Sequence, residues 1–186
     1  MNKRKVILVT DGDMVARNAV ETATANIGGR CISVSAGNPT TLTGQELVGK
    51  IKEAAHDPVV VMVDDRGTKG EGPGEAAMAA ILDSGELDVL GIVAVSSNGK
   101  DCKGINVNCS ITKDGDVVHN AVNKYGDDTG SGDICGDTLS ILRSRGSMFI
   151  VGIGDPGKMD YKDEVARGAP ITTKALEIIV DHSRLM

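Results

Sequence analysis

Apolar residues in this chain fall into two kinds of run. Five runs are short and rich in β-branched residues: Val6 to Val9, Cys31 to Val34, Val59 to Val63, Val89 to Val95 and Met148 to Ile153, each followed directly or after Thr10 by Gly, Asp or Ser. Four are nearly continuous, as expected of strands in a parallel sheet covered by helices on both faces. The exception is Cys31-Ile-Ser-Val-Ser35, which alternates with period two and predicts a half-covered edge strand. The remaining apolar residues recur at three and four residue spacing. Val15, Ala16, Ala19, Val20, Ala23 and Ile27 line one face of a helix that Gly28-Gly29 would stop. Thr43-Gly-Gln-Glu46 is a capping box ahead of Leu47, Val48 and Ile51. Further helices are predicted from Pro73, from Asp137 as N-cap with Gly146 as the stop, and from Pro170 to the His182-Ser-Arg184 end.

Residues 105–123 break the rhythm. Ile105, Val107, Cys109 and Ile111 alternate, meet Asp114-Gly115 and continue through Val117-Val118, which predicts an inserted β-hairpin. The pattern predicts an α/β chain, a single domain over 1–186. It would be an open, doubly wound, Rossmann- or flavodoxin-like sheet, mostly parallel, with helices on both faces. A strand order of 2-1-3-4-5 puts the second strand at an edge and leaves the fifth at the other, where the hairpin would have to cover it.

Composition narrows the function classes. The chain has 186 residues, 24 Gly, no Trp, one Phe and two Tyr, so stacking platforms for single-stranded nucleic acid and aromatic cages have almost no rings to use. A formal net charge of −6 repels phosphate backbones and argues against nucleic acid as a partner. No apolar run approaches the roughly 20 residues that span a bilayer. The apolar stretch after the basic N-terminus is shorter than the about 7 to 15 residues of a signal peptide and reads as a first strand. Cys31, Cys102, Cys109 and Cys135 form no Cys-x-x-Cys and are expected to be reduced, structural thiols.

In a doubly wound sheet ligands sit outside the carboxyl ends of the strands. Those tips carry Asp11, Asp13, Asn38, Asp64, Asp65, Gly154, Asp155 and Lys158. Asp11, Asp13, Asp64 and Asp65 would crowd like charges together if their strands are neighbours, and hard oxygen ligands of this kind suit Mg²⁺ or Ca²⁺. Each Asp could equally cap the helix that follows it. Lys69-Gly-Glu-Gly72-Pro-Gly-Glu75 has the form of an anion cradle before a helix N-terminus, although its glutamates oppose an anion and its glycines also suit a plain tight loop. Asp11-Gly-Asp13-Met-Val15 matches the Asp-x-Asp-x-(Thr/Val) pattern of haloacid-dehalogenase-type phosphatases, in which the first Asp is the nucleophile, the second a general acid, and Mg²⁺ supports the phosphoryl group. The later acidic motif of those enzymes has no clean counterpart: Asp160 falls one residue late after Gly154-Asp155, and Asp64-Asp65 is the substitute. His56, His119 and His182 lie away from the tips, so no other nucleophilic constellation is present.

Several strings carry a family resemblance. Lys5-Val-Ile-Leu-Val-Thr-Asp-Gly-Asp13, Ile27-Gly-Gly-Arg-Cys-Ile-Ser-Val-Ser-Ala-Gly-Asn-Pro39, Gly70-Glu-Gly-Pro-Gly-Glu75, Val151-Gly-Ile-Gly-Asp155 and Arg167-Gly-Ala-Pro-Ile-Thr-Thr-Lys-Ala175 resemble the soluble form of the stage V sporulation protein AE family of spore-forming bacteria. The resemblance runs in order over nearly the whole chain. It implies an accessory role in the stage V A group, which takes up dipicolinic acid with Ca²⁺ during sporulation and releases it on germination. The implied partners are other stage V A proteins and Ca²⁺-dipicolinate. The implied location is cytoplasmic or peripheral at the spore inner membrane, and the implied chemistry is binding without catalysis. No catalytic residue comes with the family, and no cofactor beyond a Ca²⁺ or Mg²⁺ ion. With so few rings, a pyridine ligand at the tips is expected to be held through its carboxylates, by backbone amides, Lys, Arg or a bridging Ca²⁺, rather than by stacking.

Overall fold

The structure, a computed structural model, describes residues 2–68, 70–97 and 102–186. Among the described residues nine strands form: β1 (Arg4–Val9), β2 (Arg30–Cys31), β3 (Val59–Met62), β4 (Leu87–Val95), β5 (Ile105–Asn106), β6 (Cys109–Ile111), β7 (Val117–Val118), β8 (Asp133–Ile134) and β9 (Ile150–Ile153). Four α-helices accompany them: α1 (Met14–Asn26), α2 (Gly44–Lys52), α3 (Pro73–Asp83) and α4 (Pro170–Arg184). Seven strands make one sheet in the order β2-β3-β1-β4-β9-β6-β7, parallel except for the β6–β7 pair.

Side-chain parity divides the core between the two faces of this sheet. Val6 and Leu8 of β1 join Val59 and Val61 of β3 under Leu47 and Ile51 of α2 and Met78 and Ile81 of α3. Ile7 and Val9 join Val60, Met62, Val93 and Val151 under Ala19, Val20 and Ala23 of α1 and Ala175, Leu176 and Ile179 of α4. The near-continuous apolar runs are explained by this double cover. Aliphatic side chains suffice to fill it, which is why a chain so poor in rings can fold.

The helices start and stop where the local chemistry dictates. Thr43 and Glu46 form the reciprocal capping box of α2. Pro73 and Pro170 open α3 and α4 with a preset φ and no orphan N–H. After α1, Gly28 turns the chain at φ 72°. Gly91 sits at a bulge in β4, where Val6 pairs with Val89 but Ile7 with Gly91. A Cβ there would lie 2.8 Å from the Phe149 carbonyl oxygen and 2.9 Å from Ile179 Cγ2, so the bulge brings β4 against β9 and α4 where only glycine fits.

Four expectations are revised. The strand order is not 2-1-3-4-5, because β3, fully buried over its length, lies between β1 and the short β2. The second strand does sit at an edge, but it ends at Cys31 and gives way to a 3₁₀ turn over Ser33–Ser35. There Ser35 Oγ accepts the Met62 N–H (2.9 Å), a side-chain bond that replaces strand pairing. The helix expected after Asp137 is a single 3₁₀ turn, Ser140–Ser144, with Leu139 as its N-cap. Asp137 instead accepts a hydrogen bond from Ser97 Oγ (2.9 Å), and Glu75 Oε1 accepts from the Ser140 hydroxyl and the Ile141 N–H. Finally, Cys102 and Cys135 form a disulfide with Cα atoms 5.7 Å apart, whereas Cys31 and Cys109 are free thiols, so the all-reduced expectation holds for two of the four.

The insertion is a hairpin, in a shorter span than the alternation suggested. β6 and β7 pair across Asp114-Gly115, with Gly115 at φ 86°. β6 also pairs in parallel with β9, so the hairpin covers the edge that the last core strand would otherwise expose. Ile105-Asn106 pairs instead with Asp133-Ile134 in a separate two-stranded ladder.

Candidate functional site

The carboxyl ends of β1, β3, β4 and β9 open into one crevice of about 320 Å³. Asp11, Asp13, Asn38, Asp64, Asp155 and Lys158 line it together with Arg66, Ser96, Ser97 and Asp137. Each wall is pinned by a bond that follows from the strand ends. Thr10 Oγ1 accepts the Val95 N–H (2.9 Å) and ties the β1 tip to β4. Thr40 Oγ1 accepts the Asp64 N–H (2.8 Å), which fastens the loop carrying Asn38 to the β3 tip. A Cβ on Gly12 would strike the Gly37 carbonyl oxygen, so these two loops meet because residue 12 has no side chain.

Neighbouring carboxylates in this crevice have different surroundings. Asp11 Oδ1 accepts the Gly12 N–H (2.7 Å) and the Asp13 N–H (3.3 Å). Burial nonetheless raises its pKa from 3.8 to about 7, with Asp13 and Asp64 adding repulsion. Burial also raises Asp64 and Asp155 above the ordinary carboxylate range. Asp13 accepts the Ala16 N–H (2.8 Å) as N-cap of α1 and lies 3.5 Å from Lys158 Nζ. Burial lowers the affinity of Lys158 for its proton, but Asp13, Asp155 and Asp11 outweigh that and hold the ammonium above its usual pKa. The crevice thus sets five carboxylates against Arg66 and Lys158, so its charge balance is acidic.

Asp65 goes elsewhere. Strand alternation turns it to the opposite face from Asp64, where it is fully buried. Its Oδ1 accepts the Gly74 N–H (2.6 Å) and the Glu75 N–H (3.1 Å) at the start of α3. Gly72 has no Cβ because that atom would collide with the same carboxylate oxygen. The cradle expected over residues 69–75 therefore already holds an anion, the chain's own Asp65. Lys69 lies outside the described residues. Gly154 does not reach the crevice: a Cβ there would lie 2.6 Å from the Lys124 carbonyl oxygen, so its bareness serves packing against the insertion.

The same device recurs at α4. Asp163, fully buried, accepts the Ile171 and Thr172 N–H groups on Oδ1 (2.8 and 3.0 Å) and the Gly157 N–H and Thr172 hydroxyl on Oδ2 (2.8 and 2.6 Å). With Asp13 on α1 and Thr43 on α2, a side chain of the chain itself accepts from the first turn of each of the four α-helices among the described residues. Among the described residues no group of three or more His, Cys, Asp or Glu is placed to hold a metal ion, so Asp11, Asp13, Asp64 and Asp65 do not make a preformed cage. A cation at Asp11, Asp13 or Asp64 would need oxygens from its own ligand.

Arg66 and Ser97 stand at the strand tips without a ligand role assigned by the pattern, and Asp137, expected as a helix N-cap, joins them in the crevice from the loop after β8. Arg66 stands one residue beyond the paired Asp64-Asp65, in a left-handed conformation at φ 51° that turns the chain.

Among the described residues no helix is long and apolar enough to cross a membrane. Comparison with curated proteins and with solved structures gave no significant match. The family model of stage V sporulation protein AE1 matches residues 5–183, from the first strand to the end of the last helix, and the chain belongs to that sporulation family.

Proposed function

We propose that this protein is a non-enzymatic accessory component of the spore dipicolinate uptake and release machinery, acting by binding Ca²⁺-dipicolinate or another stage V A protein at the strand-tip crevice. It would work in the cytoplasm or at the surface of the spore inner membrane. The observation that carries this reading is the excess of carboxylates over cations in the crevice, with Asp11 held at about pKa 7. A chelated Ca²⁺ would let Asp11 ionise and would bring its own carboxylate oxygens, the donors that the protein lacks. Free dipicolinate, a dianion, would be repelled. Calorimetry at about pH 6.5, where Asp11 is largely protonated, is expected to show saturable heat with Ca²⁺-dipicolinate, release of about one proton, and none with dipicolinate alone. If the chelate and a sibling protein of the group both give flat titrations, the reading fails.

Mg²⁺-dependent phosphohydrolysis is a second reading, supported by Asp11, Asp13, Asp64, Ser96 and Lys158 sharing one crevice. Asp11 would attack phosphorus while Asp13 protonated the leaving group; a water deprotonated by Asp13 would then cleave the phospho-aspartate, releasing phosphate and regenerating Asp11, with Lys158 on a phosphoryl oxygen and bound Mg²⁺ offsetting the carboxylates' repulsion. Turnover of p-nitrophenyl phosphate that needs Mg²⁺ and disappears in Asp11→Asn would establish it. No Asp11-dependent turnover removes it.

A further inference from the structure

The Cys102–Cys135 disulfide closes the neck of the insertion. It joins residues 33 apart, one ahead of β5 and one after β8, so the hairpin and all of β5 to β8 lie inside the closed loop. The ladder at that neck is short. Ile105 pairs with Ile134 and Asn106 with Asp133, and the Val107 N–H donates to the Gly132 carbonyl (3.2 Å). A Cβ on Gly104 would lie 2.7 Å from Asp133 Cβ, so the two arms already touch beside the disulfide. A two-stranded ladder is marginal by itself. A cross-link that shuts a long loop favours the closed neck by removing open conformations.

The arm that follows Cys135 is also a wall of the crevice. The Cys135 carbonyl accepts the Ser97 N–H (2.7 Å), and Asp137 accepts the Ser97 hydroxyl (2.9 Å). Thr138 Oγ1 accepts the Asp65 N–H (3.2 Å), which ties the same arm to the end of β3. Between them Gly136 lies against β4, where a Cβ would come 2.6 Å from the Val95 carbonyl oxygen. Ser97 and Asp137 both line the crevice. A covalent bond at the neck of the insertion therefore bears directly on the position of crevice residues.

The four cysteines divide by setting. Cys109 is buried in the core, and burial pushes the Cys31 thiol up to about 11, so neither offers a ready thiolate. Cys102 and Cys135 are half-buried beside the crevice, where a small dithiol can reach them, and accessible disulfides are the ones that exchange. The core does not depend on the bond. Ile105, Ile134, Leu139 and Leu142 are buried in the same apolar layer as Val6 and Val61, which holds both arms of the neck to the sheet. Cleavage should thus loosen the neck and leave the sheet folded.

We propose that Cys102–Cys135 is a redox-sensitive clasp on the crevice: oxidised, it fixes the wall that carries Ser97 and Asp137, and reduced by a dithiol, it lets that wall open within an intact fold. The exchange takes two steps. A thiolate of the dithiol attacks one sulfur, breaking the S–S bond and forming a mixed disulfide; the second thiol then displaces the protein. Cys102 and Cys135 are left as thiols, having gained two electrons and two protons, and the reductant leaves as its own disulfide. The clasp goes beyond the crevice reading and does not depend on which ligand the crevice takes.

Amide hydrogen exchange on the intact chain, before and after excess dithiothreitol, tests it. Reduction should add two hydrogen atoms to the mass and speed exchange at Ser97, Asp65 and Val107 by about 10-fold or more, while β1 and α1 keep their protection. Oxidised glutathione should restore the slow pattern. Cys102→Ser/Cys135→Ser should show the fast pattern without reductant and ignore dithiothreitol, which assigns the effect to this pair rather than to Cys31 or Cys109. Equal protection in the two states overturns the proposal, because the hydrogen bonds then hold the wall unaided. Loss of protection throughout the chain, or a double variant that does not fold, also overturns it by making the bond a staple of the whole fold. So does a disulfide that resists dithiothreitol in the folded chain. A flat Ca²⁺-dipicolinate titration would leave the exchange result standing, so the two readings fail separately.

Discussion

Asp163 and Asp11 are both aspartates withdrawn from solvent at the carboxyl-end edge of one sheet, yet they are opposite in character. Asp163 receives hydrogen bonds from three backbone N–H groups and one hydroxyl. Its charge is matched by fixed dipoles and the α4 N-terminus, so it behaves as part of the scaffold. Among the described residues Asp11 receives only the N–H groups of its two following neighbours, and it faces Asp13 and Asp64, so its charge is a cost that a ligand could remove. Asp65 stands between them, with Oδ1 bonded to the start of α3 and Oδ2 buried without a partner among the described residues. Counting the donors aimed at each oxygen separates carboxylates that build the fold from those whose charge the fold leaves poorly matched.

The largest effect is expected where that count is highest. Asp163→Ala would orphan the N–H groups of Gly157, Ile171 and Thr172 in the interior, at a cost of about 3–5 kcal/mol in urea unfolding. It would also free the 155–163 segment that carries Asp155, Lys158 and Tyr161, so ligand binding should fall with it. A loss below about 1 kcal/mol would show that water can replace the carboxylate there and would dissolve the contrast with Asp11. Gly72→Ala comes next. Its new methyl would collide with the Asp65 carboxylate, and displacing that cap should cost about 1–3 kcal/mol. An unchanged midpoint would mean that Asp65 does not depend on the bare backbone at residue 72.

Some of this division can be read from the sequence and some cannot. The capping box at Thr43, the strands around Val6 and Val59, and the convergence of Asp11, Asp13, Asn38, Asp64 and Asp155 follow from period, caps and the rule for strand tips. Parity alone separates Asp64 from Asp65, since adjacent strand residues face opposite layers. Strand order does not follow, because β1, β3 and β4 are alike in composition and only their pairing in three dimensions ranks them. The role of Asp163 is also hidden, because it sits in an irregular segment eight residues before the first N–H it accepts from α4. Tyr125 and Tyr161 come from separate loops and line one cavity because the hairpin packs alongside β9.

The smallest expected effect is a gain. Asp11 has a folded pKa of about 7 against 3.8 in an ordinary environment. Between those values the folded chain keeps a proton that the unfolded chain has lost, so stability falls as pH rises through the window and stays low above it. Asp11→Asn removes the penalty. The variant should match the wild type below about pH 4 and exceed it by at least about 1 kcal/mol at about pH 8, the worth of a single pKa unit. In the same protein, Ca²⁺-dipicolinate binding should weaken and its proton release vanish. Stability and binding moving in opposite directions is the signature of a site residue. If Asp11→Asn instead loses stability at about pH 8, its carboxylate is a satisfied structural group like Asp163, and the crevice has no uncompensated charge to offer a ligand.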